Sequence, residues 1–145
     1  MEVGVMVPGF GGLFFYPDQP DVLNVYLLDP EDAEQKAAVE DAINEVFPGA
    51  IPSGGIEVIE GKYSVVQLKA WYDDLRYALA RSGLVGNGMI LTDLHEGING
   101  LEVVVEDERA RAKVASIVED AGIPPEVVRV TIGEPIREFS LRTRP

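Results

Sequence analysis

One structural pattern occurs twice in this chain of 145 residues. In the first copy, a strand-like segment ending in an aspartate (Leu23–Asp29) precedes a helical stretch and a second strand-like segment (Ile56–Glu60). The second copy repeats this order with Leu101–Asp107, a helical stretch and Val127–Ile132. The offset is 78 residues at the terminal aspartates and 79 at a matching valine in each helix. A nearly constant offset across strand and helix predicts two related structural units.

Apolar periodicity and turn residues extend this pattern to the rest of the chain. They predict the order β-β-α-β, a bridging helix, and then β-β-α-β again. In the bridging helix, Ser64 and Gln67 fit a capping box. Its buried stripe is predicted at helical spacing, at Val65, Leu68, Tyr72, Leu75 and Leu79. We therefore expect an α+β fold, with a ferredoxin-like antiparallel sheet and helices packed on one face.

Aspartates mark the predicted starts of the other two helices. Asp29 is expected to cap the first helix, with Pro30 at its first position. Asp107 is expected to cap the last one, in which the predicted buried residues are Ala110, Val114, Ile117 and Ala121. Asn99 and Gly100 are expected to form a hairpin turn.

The predicted elements divide the chain into four parts. These are a first ββαβ unit (1–61), the bridging helix (62–83), a second ββαβ unit (84–133) and a basic C-terminal tail (134–145). The tail contains three arginines and one glutamate in its last nine residues.

The net charge of −13 limits the kinds of partner. Residues 1–60 contain twelve Asp and Glu side chains and a single basic one, Lys36. Such a surface repels phosphate, so we expect no binding to nucleic acid. Cysteine is absent, which excludes disulfides and thiolate chemistry. No apolar run has the ~18 residues of a membrane span, and the start has no basic region typical of a signal peptide.

Few side chains in the sequence suggest catalysis. The single histidine, His95, lies near Asp93 and Glu96, either as an acid–base or metal site or, as we expect, as an exposed loop residue. The acids Asp18, Asp21, Asp29, Glu31, Asp32 and Glu34 are more typical of a solvated face than of a calcium site. Gly9, Gly11 and Gly12 are a weak match to a phosphate loop. We expect no enzymatic activity, no metal and no cofactor.

Three stretches resemble the pro-regions of bacterial secreted chymotrypsin-like serine proteases, the alpha-lytic protease and streptogrisin group. They are Tyr63–Leu75, Thr92–Glu106 and Ala112–Val130, and together they span about half of the chain. The chain carries no protease domain, so the resemblance implies either the pro-region alone or a relative that has become independent. It implies a secreted or cell-surface location and a protease partner, which is either a separate protein or encoded downstream in the same chain.

The resemblance also implies a mechanism without covalent catalysis. Pro-regions of this group assist the folding of their protease and inhibit it: their sheet extends a protease strand and their tail occupies the substrate cleft. The corresponding partner-binding residues here are Ile136, Arg137, Phe139, Leu141, Arg142 and Arg144. The alternative for this tail is a frayed terminus. Trp71 is either a further partner anchor or a filler between the two halves.

Two other functions are compatible with the sequence. The first is a ferredoxin-like regulatory domain that senses a small ligand, with a dimer through an exposed sheet edge as one option. The second is an enzyme that uses His95, for which the sequence suggests no substrate.

Overall fold

The computed structural model describes residues 1–133 and confirms the α+β class. Within this range it contains four α-helices and six β-strands. In chain order they are α1 (Glu2–Met6), β1 (Phe10–Tyr16), β2 (Gln19–Leu27), α2 (Ala33–Val46), β3 (Ile56–Glu60), α3 (Val65–Ser82), β4 (Met89–His95), β5 (Gly100–Val105), α4 (Glu108–Asp120) and β6 (Val128–Ile132). Short 3₁₀ turns cover Glu96–Ile98 and Pro125–Val127. α1 was not predicted from the sequence, because five residues rich in valine carry no helical period.

The described strands form two three-stranded sheets, in the orders β1-β2-β3 and β4-β5-β6. Both sheets are mixed, so the prediction of an antiparallel sheet was wrong. β1 runs antiparallel to β2, but β2 is parallel to β3, and β5 is parallel to β6. The cause is the helix between the second and third strands of each copy. It carries the chain back to the end where the second strand began, so that the third strand runs in the same direction.

The predicted repeat appears as two matching strand ladders. In the first sheet, five residue pairs run in register from Leu23 opposite Ile56 to Leu27 opposite Glu60. In the second sheet, five pairs run from Leu101 opposite Val128 to Val105 opposite Ile132. The central strand of each sheet thus places three alternate apolar residues in a buried core.

The chain forms two compact units. Unit 1 contains residues 1–69 and 95–99, and unit 2 contains residues 70–94 and the chain from Gly100 onward. The change of unit falls within α3, after Lys69. The boundaries predicted from the sequence, after residues 61 and 83, lie on either side of this position.

Each unit has an apolar core made by its sheet and helices. The buried core of unit 1 comprises Val3, Val7, Phe10, Leu23, Val25, Leu27, Val39, Ala42, Ile43 and Val65. Unit 2 buries Leu75, Leu79, Leu84, Leu101, Val103, Val105, Ala110, Val114, Val118, Ile123 and Val127. Two of the residues predicted to be buried in α4 are not: Ile117 is half-buried and Ala121 is exposed. Val118 takes the inward position because it lies one turn after Val114 on the same helix face.

Side-chain caps fix where the helices begin. Ser64 and Asp107 act as predicted: Ser64 Oγ accepts a hydrogen bond from the Gln67 amide at 3.1 Å, and Asp107 Oδ1 accepts one from the Ala110 amide at 2.9 Å. The prediction for α2 was wrong by three residues. Its cap is Asp32, whose Oδ1 accepts from the amides of Glu34 at 3.0 Å and Gln35 at 3.2 Å.

Asp29 instead belongs to the turn that leads into α2. Its carbonyl oxygen accepts a hydrogen bond from the Asp32 amide at 3.3 Å. Both aspartates fit the sequence pattern of a cap. Only the carboxylate of Asp32 lies beside the two unpaired amides of the first turn, so the helix begins there.

A buried asparagine organises the loops of unit 1. Asn99 adopts the left-handed conformation (φ 51°, ψ 51°) directly after the 3₁₀ turn, in the short connection between the neighbouring strands β4 and β5. Its Oδ1 accepts hydrogen bonds from the amides of Lys62 at 2.7 Å and Tyr63 at 3.0 Å. Its Nδ2 donates to the carbonyl oxygens of Gly11 at 3.0 Å and Tyr63 at 2.9 Å. All four hydrogen-bonding positions of the side-chain amide are therefore used.

We expect Asn99→Asp to destabilise the protein by about 3 kcal/mol, since it replaces the Nδ2 donor by a carboxylate oxygen facing two carbonyl oxygens. The loss should shrink as the pH falls toward about 4, because these surroundings favour the protonated carboxyl, which donates one hydrogen bond. Urea unfolding at neutral and acidic pH measures both effects. The control is Asn87→Asp at the exposed residue of the other Asn-Gly pair, which should change stability by less than about 0.5 kcal/mol. Equal losses at the two positions would contradict the assigned hydrogen bonds.

The cap of α2 gives a second test. We expect Asp32→Ala to lower the free energy of unfolding by about 1 kcal/mol, because it leaves the amides of Glu34 and Gln35 without their acceptor. Asp29→Ala keeps the backbone contact of that residue and should cost less than about 0.5 kcal/mol. Thermal unfolding of the two variants compares them directly. A larger effect of Asp29→Ala would show that Asp32 is not the residue that caps α2.

Candidate functional site

Most of the predicted partner-binding residues lie outside the described part of the chain. The structure describes the chain up to Gly133, whereas six of these residues lie in 134–145: Ile136, Arg137, Phe139, Leu141, Arg142 and Arg144. Their role stays a prediction. What the structure does describe is the strand that leads into them, β6.

β6 lies at the edge of the second sheet. Among the described strands its one neighbour is β5. The Gly133 amide donates to the Val105 carbonyl at 3.0 Å, so the alternation of a parallel ladder directs the amides of Val130 and Ile132 away from β5. Backbone groups aimed outward from a sheet edge can pair with an added extended peptide.

A cross-strand ion pair holds β6 to β5. Arg129 lies opposite Glu102 in the ladder, and its guanidinium donates from both Nε and Nη2 to one carboxylate oxygen, at 3.1 and 2.9 Å. The pair is partly exposed, with 52% of the arginine side chain and 15% of the glutamate side chain accessible. It fixes the register of the edge strand more than it stabilises the fold.

Trp71, the remaining predicted contact residue, is half-buried on α3. The next residue, Tyr72, donates a hydrogen bond from its hydroxyl to the Thr92 carbonyl at 3.3 Å and so ties α3 to β4 within unit 2. The structure thus places Trp71 beside this contact in the sequence of α3, with its side chain half-buried. Neither of the two predicted roles of Trp71 is decided by this position.

A cleft between α3 and β4 was not foreseen from the sequence. Its volume is about 420 Å³, and it lies wholly within unit 2. Val85 and Leu91 at its border are 57% and 39% exposed. The lining residues are Tyr72, Arg76, Leu79, Ala80, Val85, Met89, Ile90, Leu91 and Thr92. The cleft could not be predicted because its lining residues belong to two elements that are separate in the sequence.

His95 ends β4 and is half-buried. A side chain at Gly97 would approach its ring to 3.1 Å, so the 3₁₀ turn packs closely against the imidazole. Asp93 is exposed. Within residues 1–133, no group of three or more His, Asp or Glu side chains is arranged to hold a metal ion, neither here nor among the acids of the N-terminal half.

The glycines that resembled a phosphate loop have a packing role instead. A Cβ atom at Gly11 would lie 2.7 Å from the Tyr63 carbonyl oxygen and 2.8 Å from Asn99 Nδ2. Gly12 has a φ of +129°, which favours glycine. Gly11 therefore lets β1 approach Asn99 closely.

The aromatic side chains of β1 and β2 form a small cluster in unit 1. Phe14 stacks on Tyr26 with the ring centres 5.4 Å apart and meets Tyr16 edge-on at 5.1 Å. The Tyr26 hydroxyl donates to the Gly97 carbonyl at 3.0 Å. Burial raises the pKa of Tyr26, and Tyr16 raises it further. Tyr26 is therefore a neutral donor that fastens the 3₁₀ turn to the sheet.

Comparison with models of known protein families and with curated protein sequences finds no match for this chain. Among residues 1–133, none of the helices combines the length and the apolar character needed to cross a bilayer. The candidate site therefore rests on the geometry of β6 and on the resemblance of residues 63–130.

Proposed function

We propose that the chain is a non-enzymatic binding domain that recognises a chymotrypsin-like serine protease, as a folding assistant and inhibitor. The observation that carries the proposal is the position of β6. Among the described strands it is an edge strand with outward amides, and the cationic tail follows it in the sequence. A partner strand added to β6 would direct the tail along the partner surface.

The charges of the tail support the same assignment. It places arginines at 137, 142 and 144 among the apolar residues Ile136, Phe139 and Leu141. An extended peptide of this composition can fill successive subsites of a protease cleft with alternating side chains. By the same resemblance we infer that the protein acts outside the cell or at its surface.

We infer further that each ββαβ unit is ferredoxin-like, with its helices on one face of the sheet. Contacts of α4 with β5 and β6 support this for unit 2. The parallel pairing of the second and third strands in both units is compatible with half of such a sandwich. In this arrangement the opposite face and the outer edge stay available for a partner.

Inhibition of a bacterial chymotrypsin-like protease tests the proposed function. The purified chain should slow hydrolysis of a chromogenic peptide, and removal of residues 134–145 should raise the inhibition constant at least about tenfold, because the subsite contacts are lost. Thermal unfolding of the shortened chain serves as the control for folding. The proposal fails if neither the intact nor the shortened chain slows the protease.

A substitution on the edge strand tests the contribution of β6 separately. Val130→Pro removes an outward amide but leaves the ladder to β5 intact, so it should weaken inhibition about tenfold. Val130→Thr keeps the amide and should inhibit as the natural chain does. Equal inhibition by the two variants would show that the partner does not pair with this edge.

The cleft between α3 and β4 favours a second candidate function, a regulatory domain that binds a small ligand with an apolar part. Its lining combines apolar side chains with one cation, Arg76. Such a ligand would carry a negative charge or an aromatic ring, since the guanidinium lies 5.4 Å from the ring centre of Tyr72.

A thermal-shift screen of small aromatic carboxylic acids tests this alternative. A true ligand should raise the melting temperature of the natural chain, whereas Leu91→Glu at the border of the cleft should abolish the shift. If no compound raises the melting temperature, or if the variant responds equally, the cleft is not a ligand site.

A further inference from the structure

An exposed apolar groove lies in unit 1, where α1 meets the C-terminal end of α2. Its volume is about 470 Å³, and it is lined by Glu2, Val5, Met6, Glu45 and Val46. Val5 is 74% exposed and Met6 is 47% exposed, although both lie on a helix whose other face is buried. β6 does not line this groove.

Acidic side chains border the groove on both helices. Glu2 stands in the first turn of α1, and Glu45 stands in the last turn of α2. Asp41 precedes Glu45 by four residues and is exposed on the same face of α2. With Lys36 as the one basic residue among the first sixty, no cation of this segment lines the groove. The groove therefore has the charge that complements a cationic partner.

The position of Glu45 is unfavourable for the helix itself. The last turn of an α-helix carries partial negative charge, and cations are the residues that stabilise it. The last turn of α2 contains no basic residue, and Glu45 adds a carboxylate there. A residue that lowers stability at the border of an apolar groove is typical of a surface that serves binding.

We propose that this groove binds an amphipathic, cationic helix of a partner protein. Apolar side chains of the partner pack against Val5 and Met6, while its lysines or arginines pair with Glu2 and Glu45. The unbranched side chain of Met6 can adapt to different apolar residues. An anionic membrane is the disfavoured occupant, because the same carboxylates repel it.

The probe for this proposal is a fluorescein-labelled peptide of about 18 residues, made of leucine and lysine with the leucines on one helical face. Fluorescence anisotropy with the full chain gives its dissociation constant at about 50 mM salt, where surface charges are weakly screened. A scrambled peptide of equal composition and a peptide with glutamate in place of lysine are the controls. The first peptide should bind at least about tenfold more tightly than either control.

Two matched pairs of variants locate the binding. Glu45→Lys should weaken the peptide about tenfold, whereas Asp18→Lys, with the same change of charge in the β1–β2 turn, should weaken it less than about twofold. Val5→Ser should weaken it about tenfold, whereas Leu28→Ser, at a 41% exposed leucine outside the groove, should not. All four positions are exposed, so the variants are expected to fold.

Thermal unfolding supplies the second readout. Glu45→Lys should raise the melting temperature by about 2 °C while it weakens the peptide, because it corrects the charge at the end of α2. A loss of affinity together with a lower melting temperature would point to damaged structure and would contradict the proposal. Equal effects of Glu45→Lys and Asp18→Lys would reduce the binding to general charge attraction. Binding of phosphatidylserine vesicles without binding of the peptide would identify a membrane surface instead, and either result would overturn the assignment.

Discussion

Unit 1 depends on the hydrogen bonds of one buried amide, the side chain of Asn99. β1, the segment before α3 and the connection between β4 and β5 have no regular ladder that joins all three. A side-chain amide can join them because it offers two acceptor positions and two donor protons in one plane. Asn99 is 6% exposed and uses all four, so that none of these loop groups is buried without a partner. The close approach also explains the glycine at position 11, where a larger residue would collide with the amide.

The two copies of the ββαβ pattern share a backbone and differ in what they present. The ladder position occupied by Glu102 and Arg129 in the second sheet is occupied by Asn24 and Glu57 in the first. Asn24 is fully buried and donates to the Phe14 carbonyl at 3.4 Å, whereas the Glu102–Arg129 pair is accessible to solvent. At this position the first copy therefore combines a buried amide with an exposed carboxylate, and the second copy carries an ion pair.

The sequence predicted those features that depend on local chemistry. Alternating apolar residues located Leu101–Val105, and the caps at Ser64 and Asp107 placed two helix starts correctly. Where two neighbours fitted the same pattern, as Asp29 and Asp32 did, only the geometry could choose between them. The direction of β3 and β6 was mispredicted because pairing depends on where a helix returns the chain, which no alternation of residues records.

Features formed between distant segments could not be predicted from the sequence. Asn99 looked like a turn residue because nothing near it reveals that its side chain meets Gly11 and Lys62. The groove of α1 and α2 joins residues about forty positions apart, and α1 itself has too few residues for a periodic signal. The candidate edge strand was predicted as an element, but its place at the border of a sheet follows only from the order of the strands.

The inclusion of residues 95–99 in unit 1 has a consequence for how the protein is made. During translation the N-terminal segment leaves the ribosome well before Asn99 is synthesised. Until then, the amides of Lys62 and Tyr63 lack the acceptor that they have in the finished protein. Asn99 follows α3 and β4 in the chain, so unit 1 reaches its final architecture only after residues 70–94 of unit 2 have been produced.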